Sequence, residues 1–184
     1  MKPSPIQLLQ LTFKRVRVEL DLRHTPDEAA NGKAPVFAFD GVGIATEVGF
    51  GEIDLAHEQG ATYLVTLRLL IDNEPLPEEP ARRFSPYLID IEAAGVILLP
   101  RGAEQLGPPA DLVTVNGAAL LWSAIREQVL TLTSRMPAGP AMLPTVHFHD
   151  LKQGAEAPAA AVAAKSGPMA KKAVRSRTGS AMGS

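Results

Sequence analysis

Between residues 12 and 23, apolar and charged side chains alternate: Val16, Val18, Leu20 and Leu22 fall on one face, and Arg15, Arg17, Glu19, Asp21 and Arg23 on the other. A period of two is the mark of a half-buried β-strand. Alternation returns over residues 44–50, with Ile44, Val48 and Phe50 opposite Glu47 and Gly49. It returns again over 62–72, where Tyr63, Val65, Leu67, Leu69 and Ile71 align against Thr66 and Arg68. A fourth strand is predicted over 87–99, with Tyr87, Ile89 and Ile91 on one face and Leu88, Asp90 and Glu92 on the other. The prolines and glutamates of 73–80 and the turn residues of 25–33 and 57–60 separate these runs. After Pro108-Pro109 the period changes. Asn116 is placed to cap a helix, and Ala118, Leu121, Trp122, Ile125, Val129 and Leu132 recur at three- and four-residue steps until Met136-Pro137-Ala138-Gly139-Pro140. A short segment, 143–151, closes the body. Strands first and helix afterwards predict an α+β fold. It is a four-stranded antiparallel sheet with one solvated face, packed with one main helix and a short C-terminal segment.

Charge divides the 184-residue chain in two. Residues 1–151 carry 12 Lys/Arg against 19 Asp/Glu, and residues 152–184 carry six against one. A body at −7 is a poor nucleic-acid binder, while a tail at +5 suits an anionic partner. Ten of the 33 tail residues are Ala, with few large apolar side chains, which predicts a disordered tail after a single domain over 1–151. Cysteine is absent, which excludes disulfides, thiolate metal sites and thiol nucleophiles. The N-terminal residues lack the continuous apolar core of a signal peptide, and no run is long enough for membrane insertion. A cytoplasmic protein is expected.

Catalytic constellations are not found. No phosphate loop of the G-x-x-x-x-G-K-[ST] type and no G-x-S-x-G elbow occurs, and Gly41-Val42-Gly43 reads as a kink or bulge in a strand. His147 and His149 would share a face on a strand, but two ligands need a third and fourth that no other cluster supplies. The expectation is a non-enzyme with no catalytic residue, metal or cofactor.

Four stretches in order carry a resemblance: Tyr63-Leu64-Val65-Thr66-Leu67-Arg68-Leu69; Tyr87-Leu88-Ile89-Asp90-Ile91-Glu92-Ala93-Ala94-Gly95-Val96-Ile97; the helix with Leu121, Arg126-Glu127 and Val129; and Pro144, Val146, Phe148 and Leu151 of the closing segment. Together they resemble the SecB family of export chaperones. The resemblance implies an ATP-independent holdase. It would form a homotetramer, a dimer of dimers, hold unfolded or precursor proteins in apolar grooves, and deliver them to the SecA translocation ATPase. It further implies a motor-facing site on the sheet that falls on Leu88 and Asp90, with Glu19 and Asp21 beside them. Leu121, Trp122, Ile125 and Phe148 would line the client groove or the oligomer interface. Two other readings accompany it. One is a SecB-like chaperone dedicated to a single client, such as the antitoxin of a toxin–antitoxin pair. The other is a scaffold working through the basic tail.

Overall fold

The computed structural model describes residues 6–25, 36–74 and 82–152. The predicted disordered tail lies outside the described residues from position 153 onward.

The two most apolar strands form the centre. β4 (Gly60–Ile71) and β5 (Tyr87–Pro100) pair antiparallel, with Leu67 opposite Ala93, Leu69 opposite Ile91 and Ile71 opposite Ile89. Their odd-numbered side chains make one continuous buried face. β1 (Gln7–Leu20) flanks β5 and β3 (Ala45–Asp54) flanks β4, giving the order β1-β5-β4-β3. The connection from β1 to β3 therefore passes from one edge of the sheet to the other. Within it β2 (Phe37–Ala38) pairs in parallel with β6 (Ala141–Met142), a two-residue ladder too short to leave a sequence period.

The four-stranded antiparallel sheet is present, and within the strands the faces assigned from alternation hold; Asp21 and Leu22 do not follow them, because β1 ends at Leu20 and beyond it Asp21 is buried and Leu22 is 80% exposed. β1 starts five residues before the predicted strand. Register shifts between Leu8 and Gln10 and between Phe13 and Arg15 reset its phase, so Leu8, Leu11, Phe13 and Val16 all pair with odd-numbered β5 residues despite uneven spacing. A bulge adds a residue without changing the face, which hides such a strand from a period-two reading. Gly41 is in a turn at φ +76° ahead of β3, where a left-handed backbone suits glycine, and not inside a strand.

One helix, α1 (Pro109–Thr133), covers the odd-numbered face of the sheet. It begins seven residues before Asn116. Pro109 occupies its first turn, where the missing N–H costs nothing, and Asn116 is internal, its side-chain Nδ2 donating to the Leu112 carbonyl at 2.7 Å. Val113, Gly117, Leu121, Ile125 and Val129 face the sheet and are fully or nearly fully buried. Gly117 is the point of closest approach. A Cβ there would stand 2.8 Å from Val65 Cγ2. Gly117→Ala should therefore lose about 1–2 kcal/mol in urea unfolding, because the overpacking outweighs the roughly 1 kcal/mol gained in helix propensity. A net gain in stability would show that the helix can lift off the sheet at no cost.

After α1 the chain returns beneath the helix. The indole Nε1 of Trp122 donates to the Pro144 carbonyl at 2.9 Å, Arg126 Nε donates to Leu143 at 2.8 Å, and Phe148 meets Trp122 edge-on at 6.0 Å. The Tyr87 hydroxyl donates to the Gly139 carbonyl, and burial pushes its pKa up to about 12.

Candidate functional site

A single helix is about 10–12 Å across, and strands lie about 4.8 Å apart. One helix can therefore shield two strands of four. α1 rests on β4 and β5 and leaves the outer strands of the same face partly bare. On β1, Leu11 is 38% exposed and Val16 43%, although both pair with buried positions of β5. On β3, Phe50 is 41% exposed and stacks on Tyr63 with ring centroids 5.5 Å apart. Ile53 near the end of β3, Leu55 just beyond it and Leu9 on β1 are exposed as well. Leu11 and Val16 on one side and Phe50 on the other form two apolar margins, one at each edge of the helix-covered face. The alternation that carries Val16 and Phe50 was legible in sequence, Leu11 lies ahead of the predicted strand, and the shortfall in cover was not legible, since it depends on how many elements lie across the sheet.

Among the described residues no helix lies on the opposite face. Five ion pairs lie on it: Lys14–Glu92, Arg15–Asp90, Arg68–Asp90 and Arg68–Glu47 between strands and Arg17–Glu19 within β1. Asp90 is the hub. It accepts from Arg68 Nε at 2.9 Å and Nη2 at 3.0 Å and from Arg15 Nη1 at 2.7 Å. The Arg68 hydrogen bonds, with Arg15 adding, hold its carboxyl below the usual range against the opposing effect of burial. Leu88 is half-buried beside it, and a shallow depression there is lined by Arg17, Leu70, Leu88 and Asp90. Glu19 is exposed and forked onto Arg17 at 2.8 and 2.9 Å, which lowers its pKa.

Asp21 is not part of this face. It lies beyond the end of β1 and is 4% exposed. Its carboxylate accepts from Arg23 Nε and Nη2, from Asn73 Nδ2 at 3.0 Å, and contacts His24 Nδ1 at 3.0 Å. Asn73 in turn donates to the Ser85 carbonyl and accepts from the Ser85 N–H, binding the end of β1 to both ends of the β4–β5 connection. Arg23 foremost, then Asn73 and His24, hold the Asp21 carboxyl far below its ordinary value. A depressed carboxylate pKa adds stability that is complete above the unfolded value and fades as pH falls below it. Asp21→Asn should cost about 1–2 kcal/mol at pH 7, and the difference should shrink progressively below about pH 4. Urea unfolding at both pH values checks this, and a difference independent of pH would show that the carboxylate charge contributes nothing.

Leu121, Trp122, Ile125 and Phe148 are all buried. Their stripe packs on the sheet and on the returning C-terminal segment, so within the protomer they form core and do not line an open groove. His147 and His149 are exposed, with ring centroids 6.3 Å apart. Among the described residues no group of three His, Asp or Glu side chains is placed to hold a metal, and no helix is long and apolar enough to cross a membrane.

No family model matches this chain, and no curated protein matches it. Among solved structures, the chain is similar to the Mycobacterium tuberculosis SecB-like chaperone Rv1957, solved in complex with a ChAD peptide from the Rv1956 HigA1 antitoxin. The identity is 17%, with 77% of this chain and 90% of that one covered at a TM-score of 0.38. It is also similar to a protein of unknown function from Streptococcus agalactiae, at 14% identity, covering 78% of this chain and 97% of that one at a TM-score of 0.42.

Proposed function

We propose that this chain is an ATP-independent holdase of SecB type, which keeps unfolded polypeptides from aggregating by covering their apolar segments. The observation that carries this reading is the pair of apolar margins. Leu11, Val16 and Phe50 sit on core-facing positions of their strands yet remain open. A client without fixed shape requires such surface, and a contiguous exposed apolar patch is otherwise a liability. The motif order from Tyr63 to Leu151 supports the same reading: its first two stretches lie on β4 and β5, the third on α1 and the last in the segment after it. Assembly into a tetramer would place several margins within reach of one client and raise avidity without new contacts. Light scattering that gives the mass of one chain at micromolar concentration would overturn the tetramer.

The substitutions Leu11→Ser, Val16→Ser and Phe50→Ser combined should weaken binding of a denatured client about tenfold or more, through lost apolar burial. The core beneath should stay intact, because all three side chains are already partly in water. Aggregation of a chemically denatured client, followed by turbidity, is the measurement. Suppression equal to that of the parent would overturn the holdase reading.

Two destinations for the client remain, a SecA-type motor or one dedicated partner such as an antitoxin. The open sheet face favours the dedicated partner. A motor's basic domain needs free negative charge, and Asp90 is already claimed by Arg15 and Arg68, as Glu19 is by Arg17. Affinity capture from cell extract separates the two: a range of precursors with the motor supports export, and a single dominant client supports the dedicated role.

A further inference from the structure

The two edges of the sheet carry opposite charge. β1 presents Lys14, Arg15 and Arg17 against Glu19. β3 and the turn after it present Glu47, Glu52, Asp54 and Glu58, and no Lys or Arg occurs from residue 34 to residue 67. Arg68 reaches Glu47 at 3.8 Å, while no cation pairs with Glu52, Asp54 or Glu58 among the described residues. β3 is also a free edge. It is hydrogen-bonded to β4 on one side, and no strand lies on the other among the described residues. Phe50, Ile53 and Leu55 are exposed on and just beyond this acidic strand. An open strand edge is a template for one more strand, and natural edges are usually blunted by Lys, by Pro or by a covering segment. Residues 45–54 contain neither Lys nor Pro, and the bulge between Glu52 and Asp54 leaves residues 45–52 as the regular stretch of the edge.

We propose that the β3 edge is the docking site of residues 171–178 of this same chain, laid alongside β3 as an added strand. The charge fits: Lys171, Lys172, Arg175 and Arg177 would meet Glu47, Glu52, Asp54 and Glu58. The pattern fits as well. Arg175 and Arg177 alternate with Val174, Ser176 and Thr178, a period of two that includes the strand formers Val and Thr. Length is no obstacle. The described fold ends at Lys152, and the 18 residues from 153 to 170 can span about 60 Å, several times the width of a four-stranded sheet. Because the segment is tethered, its effective concentration at the edge is on the order of millimolar, so a weak contact suffices to occupy it. On the holdase reading, the segment and a client would compete for the surface beside Phe50. The docking itself does not depend on that reading.

The test uses a fluorescent peptide of residues 169–180 and the full chain. With its own segment disabled by K171E, K172E, R175E and R177E, the chain should bind the peptide, and added salt should weaken the complex. Adding E52K and D54K should reduce the affinity tenfold or more, whereas Glu104→Lys, a reversal at an exposed acid away from the edge, should leave it unchanged. The unaltered chain should bind the free peptide more weakly than the disabled one, because its own segment competes. Circular dichroism melts confirm that each variant is folded. Equal affinity for the E52K/D54K variant, or no peptide binding to the disabled chain, overturns the proposal. So does displacement of nothing by the peptide while a denatured client still occupies the edge, which would assign β3 to clients alone. Failure of every form to hold a client, with peptide binding intact, would sink the holdase reading and leave the docking in place.

Discussion

Trp122→Ala should lose about 4 kcal/mol of folding stability, the largest loss expected from any single truncation in α1. Three consequences combine. The indole is 4% exposed, so its removal opens a cavity between α1 and the returning segment. The Pro144 carbonyl loses the Nε1–H donor that reaches it at 2.9 Å. Phe148 loses the ring it meets edge-on, and with it the anchor of the 144–151 segment. Against a typical total of about 5–15 kcal/mol, such a loss leaves a small domain near its unfolding threshold. Trp122→Phe separates the contributions. It keeps most of the ring and gives up the hydrogen bond, and should cost about 1–2 kcal/mol. The chain has one Trp, so the unfolding must be followed by circular dichroism and not by intrinsic tryptophan fluorescence. A loss under 1 kcal/mol for Trp122→Ala would mean that the C-terminal segment holds its place without the helix.

Asp90→Arg should cost about 2–4 kcal/mol and become less damaging at high salt. Asp90 bridges Arg15 of β1 and Arg68 of β4 across the intervening strand, and Arg17 is its direct cross-strand neighbour. Reversal gathers four guanidinium groups where a carboxylate had joined them. The strand positions alone describe Asp90 as a solvated residue whose reversal the fold tolerates; the cross-strand network makes it structural. Asp90→Leu is the control. It removes the charge but supplies apolar contact to Leu70 and Leu88, and should cost about half as much, since buried ion pairs gain little over well-packed apolar replacements. Equal stability of parent and Asp90→Arg would show that Arg15 and Arg68 find other partners.

Much of the fold was legible because alternation survives in β3, β4, β5 and the second half of β1. Val16 against Arg17 or Ile89 against Asp90 needs no knowledge of neighbours. Where the alternation broke, the strand start was misplaced: the bulges near Leu9 and Lys14 put successive apolar residues on one face at uneven spacing. The helix start was misplaced for a different reason. Asn116 offers a cap in sequence, yet Pro109 begins a helix as readily, and the packing of Val113 and Gly117 on the sheet extends α1 back to it.

By itself the sequence determined the four long strands and the helix, short of their first residues in β1 and α1, their apolar faces, the division between acidic body and basic tail, and the order of motifs that resemble a holdase chaperone. These are properties of residues near one another along the chain, where a period of two or three to four is written directly. The tertiary structure alone decided which charges are free. Asp90 is neutralised by residues 75 and 22 positions away, and Asp21 is tied to Asn73 across 52. It also decided which apolar residues are open, since Val16 and Ile91 look alike in sequence and differ only in standing on an outer or a central strand. Strand order and register set both outcomes, and they follow from how the whole apolar surface is buried beneath one helix, which no local pattern records.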